Sequence, residues 1–283
     1  MKKLVLRTKM RNDTDLISTV VEELDRAISG SISRCTADLE GFGVLFSAGL
    51  DSTLVAKISE DLGNEVVLYS VGVEGSQDQE YVREAGKTLR SPIKRRVIDP
   101  DEVEAYARKV IKTIGGFNPL DVSIGIPFYI ACEMARDDGV SHVLCGQGAD
   151  ELFAGYHRYL AMSIGDLQAA LVVDVEKARR SADNRDHLIA RANSLELITP
   201  FLDPDLVRVA LKISPDLKIR KGVRKFILRE VAKKRGLPDS IVLREKKAIQ
   251  YSTGVDKVLR KIAKRERLDL KSYCRDVFDS VIG

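Results

Sequence analysis

The sequence predicts an α/β protein with a Rossmann-like parallel sheet, helices on both faces of that sheet, and a mostly helical C-terminal lobe. Two observations lead to this fold class. Short apolar runs typical of buried strands alternate with helical patterns through the first half of the 283 residues, and helical patterns dominate after about Gly155. Such an alternation favours parallel strands joined by right-handed crossovers.

Each element of the first half has its own signal. Apolar residues at 3.6-residue spacing indicate the helices, and short apolar runs indicate the strands. Asp13 or Thr14 can cap the first helix, and Pro100 opens a later one. The predicted order is helix 13–28, strand 43–46, helix 52–62, strand 66–71, helix 78–89, strand 93–98, helix 99–114, helix 123–136 and strand 142–145.

Three regions follow one another without a linker rich in Pro, Gly or Ser. They are an N-terminal helical extension (1–40), an α/β lobe (41–160) and a helical, basic lobe (161–283). Hydrophobic residues make up 44% of the chain and charged residues 31%, as in globular proteins. No apolar run approaches the ~18 residues of a membrane span, and the apolar stretch near the N-terminus is too short for a signal peptide. We therefore expect a cytoplasmic protein with no membrane partner.

Charge is distributed unevenly along the chain. The net charge is +4, but residues 218–283 contain 20 basic and 8 acidic residues, against 26 basic and 34 acidic residues before them. The positive C-terminal part is either a set of solvated helix faces or a surface that meets polyphosphate or RNA. The four cysteines are scattered without a CxxC pair, so no zinc or disulfide pattern is readable.

A small-residue turn follows the first predicted strand. Serine hydroxyls, backbone amides and the start of the next helix can all direct donors at an anion here. No GxxxxGK[ST] sequence occurs in the chain, so this is not a Walker A loop. The turn is a candidate site for ATP phosphates and pyrophosphate, formed by Ser47-Ala48-Gly49-Leu50-Asp51-Ser52.

A second loop of the same layout follows the strand at 142–145. Gly146 and Gly148 permit close backbone approach, and Asp150 falls at the start of the next helix. Asp150 could merely favour the helix dipole, which is worth roughly 0.3–1 kcal/mol. The alternative is that Asp51 and Asp150, from two strand ends, share a Mg²⁺ that bridges phosphate oxygens. We favour the metal site, because both loops combine a strand, a small-residue turn, an aspartate and a helix.

Five ordered motifs resemble the synthetase domain of the asparagine synthetase family, within the N-type ATP pyrophosphatases (PP-loop, HUP-like fold). The turn 47–52 resembles SGGLDS, and residues 146–156 resemble GEGADELFGGY. The other motifs are similar to the VPFLD region (Pro200-Phe201-Leu202-Asp203), the KxxLR helix (225–229), and the LP and RxK segments (Leu237-Pro238 and Arg244-Glu245-Lys246). The resemblance extends over residues 40–257.

This resemblance implies a two-step ligase. A carboxylate would attack the α-phosphorus of ATP, pyrophosphate would leave, and ammonia or an amine would displace AMP from the acyl-adenylate. By family analogy, four residues of the turn hold the ATP phosphates and the metal: Ser47, Gly49, Asp51 and Ser52. Asp150 is a second metal ligand, and Lys225 and Lys246 contact the phosphates. Val71 lies near the nucleoside. Aspartate is the simplest acceptor.

Three departures from the family bear on the substrate. Gln147 stands where the family usually has glutamate, and a neutral amide cannot take a proton. The counterpart of the arginine-bearing substrate loop is shorter and lacks arginine (121–127), so the usual bidentate clamp for a carboxylate is missing there. Ile198 and Thr199 replace another arginine-bearing stretch. The acceptor is therefore left open.

Lys2 stands where glutamine-dependent members have the cysteine of an N-terminal amidase, so we expect no glutaminase in this chain. Free ammonia, or a separate amidase subunit, would supply nitrogen. Two other functions stay open: adenylation of an RNA base, with tRNA as the partner, and a non-catalytic ATP-binding module, which Gln147 would suit.

Overall fold

The structure, a computed structural model, describes residues 13–75, 77–180, 185–244 and 253–282, without the side chains of 77–79. Strands and helices follow one another from Asp13 to Leu152 and confirm the predicted α/β class. The strands of the main sheet are β1 (Gly41–Leu45), β2 (Glu65–Val73), β3 (Ile93–Ile98), β4 (His142–Leu144) and β5 (Glu196–Ile198).

Helices surround this sheet. In chain order they are α1 (Asp13–Cys35), α2 (Leu50–Asp61), α3 (Gln77–Ala85), α4 (Pro100–Ile114), α5 (Pro119–Asp137), α6 (Ala149–Leu152), α7 (Ile164–Arg180), α8 (Arg185–Ala192), α9 (Pro204–Lys212), α10 (Pro215–Lys218), α11 (Phe226–Lys234), α12 (Asp239–Val242), α13 (Val255–Arg265) and α14 (Leu270–Ile282). Two short antiparallel strands, β6 (Ile219–Arg220) and β7 (Val223–Arg224), lie between α10 and α11.

The strand order of the main sheet is β3-β2-β1-β4-β5, and every neighbouring pair is parallel. The chain starts at β1, moves outward through β2 to β3, and then crosses to β4 on the other side of β1. This reversal makes a topological switch point between β1 and β4, where ligands bind beyond the carboxyl ends of the strands. The loops after β1 and β4 both open at this place.

Strand β5 corrects the expectation that strands end near Gly155. It has three residues and pairs in parallel with β4, with Leu197 opposite Val143. A run this short shows no periodicity. It becomes a strand because the exposed edge of β4 supplies backbone partners, which no local pattern reveals. A segment of the predicted helical lobe thus completes the sheet of the α/β lobe.

Helix α5 begins earlier than predicted. Asn118 caps it, since the Asn118 side chain accepts a hydrogen bond from the backbone N–H of Leu120 at 2.9 Å, and Pro119 occupies the first helical position. Residues 121–127, the counterpart of the family's substrate loop, are therefore helical rather than a loop. Pro127 lies inside the same helix.

Two apolar cores cover the two faces of the sheet. On one face, Val44 of β1 packs in a cluster with Leu24 of α1 and Val231 of α11. On the other, Tyr69 of β2 packs in a cluster with Leu259 of α13. Successive strand residues point to opposite faces, which explains why both sides are apolar in a parallel sheet.

Within the part of the chain that the structure describes, no helix is long and apolar enough to cross a membrane.

Candidate active site

The turn between β1 and α2 is compact and held by its own serines. The Oγ atoms of Ser47 and Ser52 are 3.1 Å apart, and the backbone N–H of Gly49 donates to Ser47 Oγ at 3.3 Å. Ala48 is buried with a φ of 52°, a left-handed conformation that is unusual for a residue other than glycine. Gly49 is the N-cap of helix α2, so the free N-terminal amides of this helix lie next to the turn.

The loop after β4 lies directly against this turn. A Cβ atom on Gly146 would be 2.7 Å from Cβ of Asp51 and 3.1 Å from the backbone nitrogen of Ser52. Gly148 has a φ of 95°, and a Cβ there would be 2.6 Å from Leu202. Both glycines are thus required by close packing, and the first of them brings the two loops together.

Lys225 joins the two loops. Its Nζ lies 2.7 Å from both carboxylate oxygens of Asp51 and 2.7 Å from Oδ1 of Asp150. The Lys225 side chain is only 4% exposed, against 20% for Asp51 and 15% for Asp150. Burial lowers the pKa of the Lys225 ammonium from its usual value, and the Asp51 carboxylate acts in the opposite direction. The two predicted metal ligands therefore converge on one shielded cation.

Gly155 has no side chain, and the ion-pair cluster of Asp51, Asp150 and Lys225 fills the space that a side chain would need. A Cβ atom at position 155 would overlap Oδ1 of Asp150 and Cε of Lys225. The Gly155 carbonyl accepts a hydrogen bond of 2.6 Å from Nη1 of Arg224, the residue before Lys225. Lys225 itself has a φ of 56° and is the N-cap of helix α11, directly after strand β7.

The other predicted site residues lie outside the ion-pair cluster. Gln147 is partly buried, and its Oε1 atom has no hydrogen-bond partner within the described residues. Val71 is buried in β2, two residues before the strand ends, in register with Arg96. Leu50 is the first residue of α2 and packs in the core. Lys246 lies outside the described residues.

Sequence reasoning did not assign a role to Arg244. Its Nη1 donates to the carbonyl of Ala48 at 3.0 Å and approaches that of Ser47 at 3.4 Å. Its guanidinium lies 3.7 Å from the ring centroid of Tyr81. The Arg229 guanidinium donates to the Arg244 carbonyl at 3.2 Å and 3.3 Å. The RxK motif names Arg244, but only the fold shows that it contacts the phosphate turn.

An arginine does lie beside the helical counterpart of the substrate loop. Arg185 donates from Nη1 to Asp121 at 3.0 Å and from Nε to Asp186 at 2.7 Å. Both carboxylates raise the pKa of Arg185 against the effect of burial. Two aspartates therefore offset the charge of Arg185 at this place.

The fold and these loops define a Rossmann-like α/β protein with an aspartate–lysine cluster at its topological switch point. The family model described as Asparagine synthase matches residues 23–185 and 165–280. The chain belongs to this family of ATP-dependent ligases, of which it represents the synthetase domain.

Two curated relatives illustrate the relationship. The chain is 36% identical over 280 residues to a protein of Methanocaldococcus jannaschii named as a glutamine-hydrolyzing asparagine synthetase, covering 86% of this chain and 51% of that protein. It is 28% identical to asparagine synthetase 1 of Lotus japonicus, covering 79% and 41%. The chain thus spans about half the length, or less, of these relatives. Among solved structures, NMN synthetase from Francisella tularensis matches with a TM-score of 0.46 and 13% identity, covering 94% of this chain and 92% of that chain.

Proposed function

We propose that this chain adenylates a carboxyl substrate with ATP, releasing pyrophosphate, and then transfers nitrogen to the acyl-adenylate to give an amide and AMP. The observation that supports this proposal is the convergence of Asp51, Lys225 and Asp150 beside the phosphate turn. Two carboxylates and a buried cation form a charge arrangement suited to a polyphosphate whose negative charge grows as pyrophosphate departs.

The donor set fits Mg²⁺. Magnesium is usually bound by one or two carboxylates together with substrate phosphates and water, and Asp51 and Asp150 offer two carboxylates that already face one cation. Bound there, Mg²⁺ would neutralise phosphate charge and orient the triphosphate. Among the described residues, no group of three or more His, Cys, Asp or Glu side chains is arranged to hold a metal ion.

Lys225 supplies a fixed positive charge for the ATP phosphates. Its ammonium lies in the lowest-exposure part of the site, where electrostatic contacts are stronger than in water. We infer that it turns from the two carboxylates towards phosphate oxygens when a nucleotide binds. Ser47 and Ser52 hydroxyls and the amides at the start of α2 would complete the donor set around those oxygens.

Gln147 limits the chemistry at the second step. Its side-chain amide can donate or accept a hydrogen bond but does not titrate. We infer that it positions the acyl group or the nitrogen nucleophile and that another group, or solvent, takes the proton lost when the amide bond forms. Ammonia, free or supplied by a separate amidase subunit, fits this arrangement. Aspartate remains the simplest acceptor.

A screen of AMP and pyrophosphate production tests the proposal. Purified chain, ATP and Mg²⁺ are incubated with aspartate plus ammonia, with other small carboxylic acids plus ammonia, and with tRNA. We expect stoichiometric AMP and pyrophosphate with one of the acids and ammonia. ATP binding without AMP formation in any mixture would favour the non-catalytic module instead.

One surface favours RNA as a second candidate acceptor. Lys257, Lys261 and Lys264 share an exposed face of α13, and none of them has an ion-pair partner among the residues that the structure describes. Positions three and four apart on a helix are neighbours, so these cations form a stripe that fits a phosphate backbone. AMP formation stimulated by tRNA, and weakened in a Lys257→Gln, Lys261→Gln, Lys264→Gln triple variant, would identify this function.

A further inference from the structure

The internal contacts of the phosphate turn are weak, and one of its residues has a strained backbone. Ala48 has a left-handed φ of 52°, a conformation that is unfavourable for a residue with a Cβ atom. The hydrogen bonds that the two serines make within the turn are long, between 3.1 Å and 3.4 Å. A strained conformation of this kind persists only when neighbouring groups fix it.

Arg244 supplies one contact from outside the turn. Its Nη1 donates to the carbonyl of Ala48 at 3.0 Å and approaches that of Ser47 at 3.4 Å. The guanidinium is stacked on Tyr81 of α3, with 3.7 Å between the guanidinium carbon and the ring centroid. The main chain at Arg244 is fixed in turn, because the Arg229 guanidinium donates to its carbonyl and to that of Val242.

These carbonyl contacts determine where the amides of the turn point. A trans peptide unit is planar, and its C=O and the next N–H point in opposite directions. When Arg244 attracts the carbonyls of Ser47 and Ala48, the N–H groups of Ala48 and Gly49 are turned away from the guanidinium. The Gly49 N–H accordingly points back into the turn and meets Ser47 Oγ at 3.3 Å.

We propose that Arg244, stacked on Tyr81, is a positioning residue that sets the direction of the phosphate-binding amides at Ala48 and Gly49. The proposal rests on the proposed function, because it assumes that the turn receives polyphosphate. The planar guanidinium is needed for it: lysine carries the same charge but neither stacks flat on the ring nor offers a rigid set of donors.

Pyrophosphate binding in the presence of Mg²⁺, measured by isothermal titration calorimetry, tests the role without requiring turnover. We expect Arg244→Lys to weaken binding about tenfold, the effect of losing charge-assisted hydrogen bonds that hold the turn. Tyr81→Leu removes the ring and should weaken binding several-fold. Tyr81→Phe is the matched control, because the Tyr81 hydroxyl makes no hydrogen bond within the described residues. It should bind like the unchanged chain, and all three melting temperatures should stay close together.

A double variant tests whether the two side chains act as one unit. Residues that share one interaction give non-additive effects, so Arg244→Lys combined with Tyr81→Leu should be no weaker than Arg244→Lys alone. Additive losses, unchanged affinity in Arg244→Lys, or a loss in Tyr81→Phe equal to that in Tyr81→Leu would overturn the proposal. So would an unchanged chain that binds no pyrophosphate. Pyrophosphate binding without AMP formation from any acceptor would refute only the ligase function.

Discussion

Gly155 and Lys225 are in direct contact: a Cβ atom at position 155 would overlap Cε of Lys225 and Oδ1 of Asp150. Neither neighbour can move away freely. The lysine side chain is 4% exposed and ends between two carboxylates, and Asp150 is held at the start of a helix. Adding a single methyl group at this glycine should therefore disturb the ion pairs of Lys225 with both aspartates.

Gly155→Ala should reduce AMP formation at least a hundredfold, because the lysine is displaced from the two aspartates. It should also lower the melting temperature, since an interrupted buried ion pair costs about 3 kcal/mol or more. Gly165→Ala is the matched control. No atom lies within 4 Å of a Cβ at Gly165, which is exposed in α7, so that variant should keep full activity and stability. Normal AMP formation by Gly155→Ala would contradict the proposed role of Lys225.

Replacing either aspartate alone should leave folding intact but abolish AMP formation. Asp51→Asn and Asp150→Asn each leave one carboxylate 2.7 Å from Lys225, so the buried ammonium remains paired. We expect each single variant to lose AMP formation and to keep its melting temperature nearly unchanged.

The double variant Asp51→Asn, Asp150→Asn is the control for this argument. It leaves Lys225 buried without a carboxylate, so the free energy of unfolding should fall by roughly 3–5 kcal/mol, measured by urea denaturation. Single variants that lose as much stability as the double would indicate that the aspartates serve the fold rather than the metal.

Much of this site follows from local sequence because its loops are local structures. Small residues after a buried strand predict the turn at Ser47, and the same layout predicts the loop at Gly146. The strand order explains why the two loops meet, since both follow strands at the switch point. The fold class and the family are confirmed, whereas the roles of the predicted metal ligands remain predictions.

The contacts that sequence could not predict are those between distant segments. Arg244 lies 196 residues from Ala48 in the chain, and no periodicity connects an arginine after α12 with a turn after β1. Strand β5 was missed for a related reason, because three residues form a strand only when a neighbouring edge offers hydrogen bonds. Helix α5 starts earlier than predicted because Asn118 caps it and Pro119 occupies its first position.

The nitrogen source gives a direct biochemical test. We expect residues 1–283 to form amide with ammonia and to release no glutamate from glutamine, because the motifs found here are those of the synthetase step alone. Glutamate release is measured with a coupled dehydrogenase assay, using ammonium chloride at the same nitrogen concentration as the control. Glutamate formed by the pure chain would show an amidase that the described residues do not explain.

Lys218 provides a test of stability against pH. Its side chain is fully buried at the end of α10, and its Nζ has no hydrogen-bond partner within the described residues. Burial lowers the pKa of Lys218 from 10.5 to about 8. Below pH 8 the amine is protonated in both folded and unfolded chains, and the folded chain bears the full cost of a buried charge, roughly 3 kcal/mol for this shift.

Between pH 8 and 10.5 the unfolded chain binds more protons at Lys218 than the folded chain does. The contribution of Lys218 to the free energy of unfolding therefore rises with pH. Lys218→Met removes the charge and keeps the apolar stem. We expect this variant to be more stable than the unchanged chain at pH 7, with the difference in unfolding free energy shrinking as pH rises through 8 to 10. Lys271→Met, at an exposed position of α14, is the control and should give a small, constant difference. A constant difference for Lys218→Met as well would mean that the Lys218 ammonium finds a partner in solution, because only an unpaired buried amine has to release its proton to relieve the cost of burial.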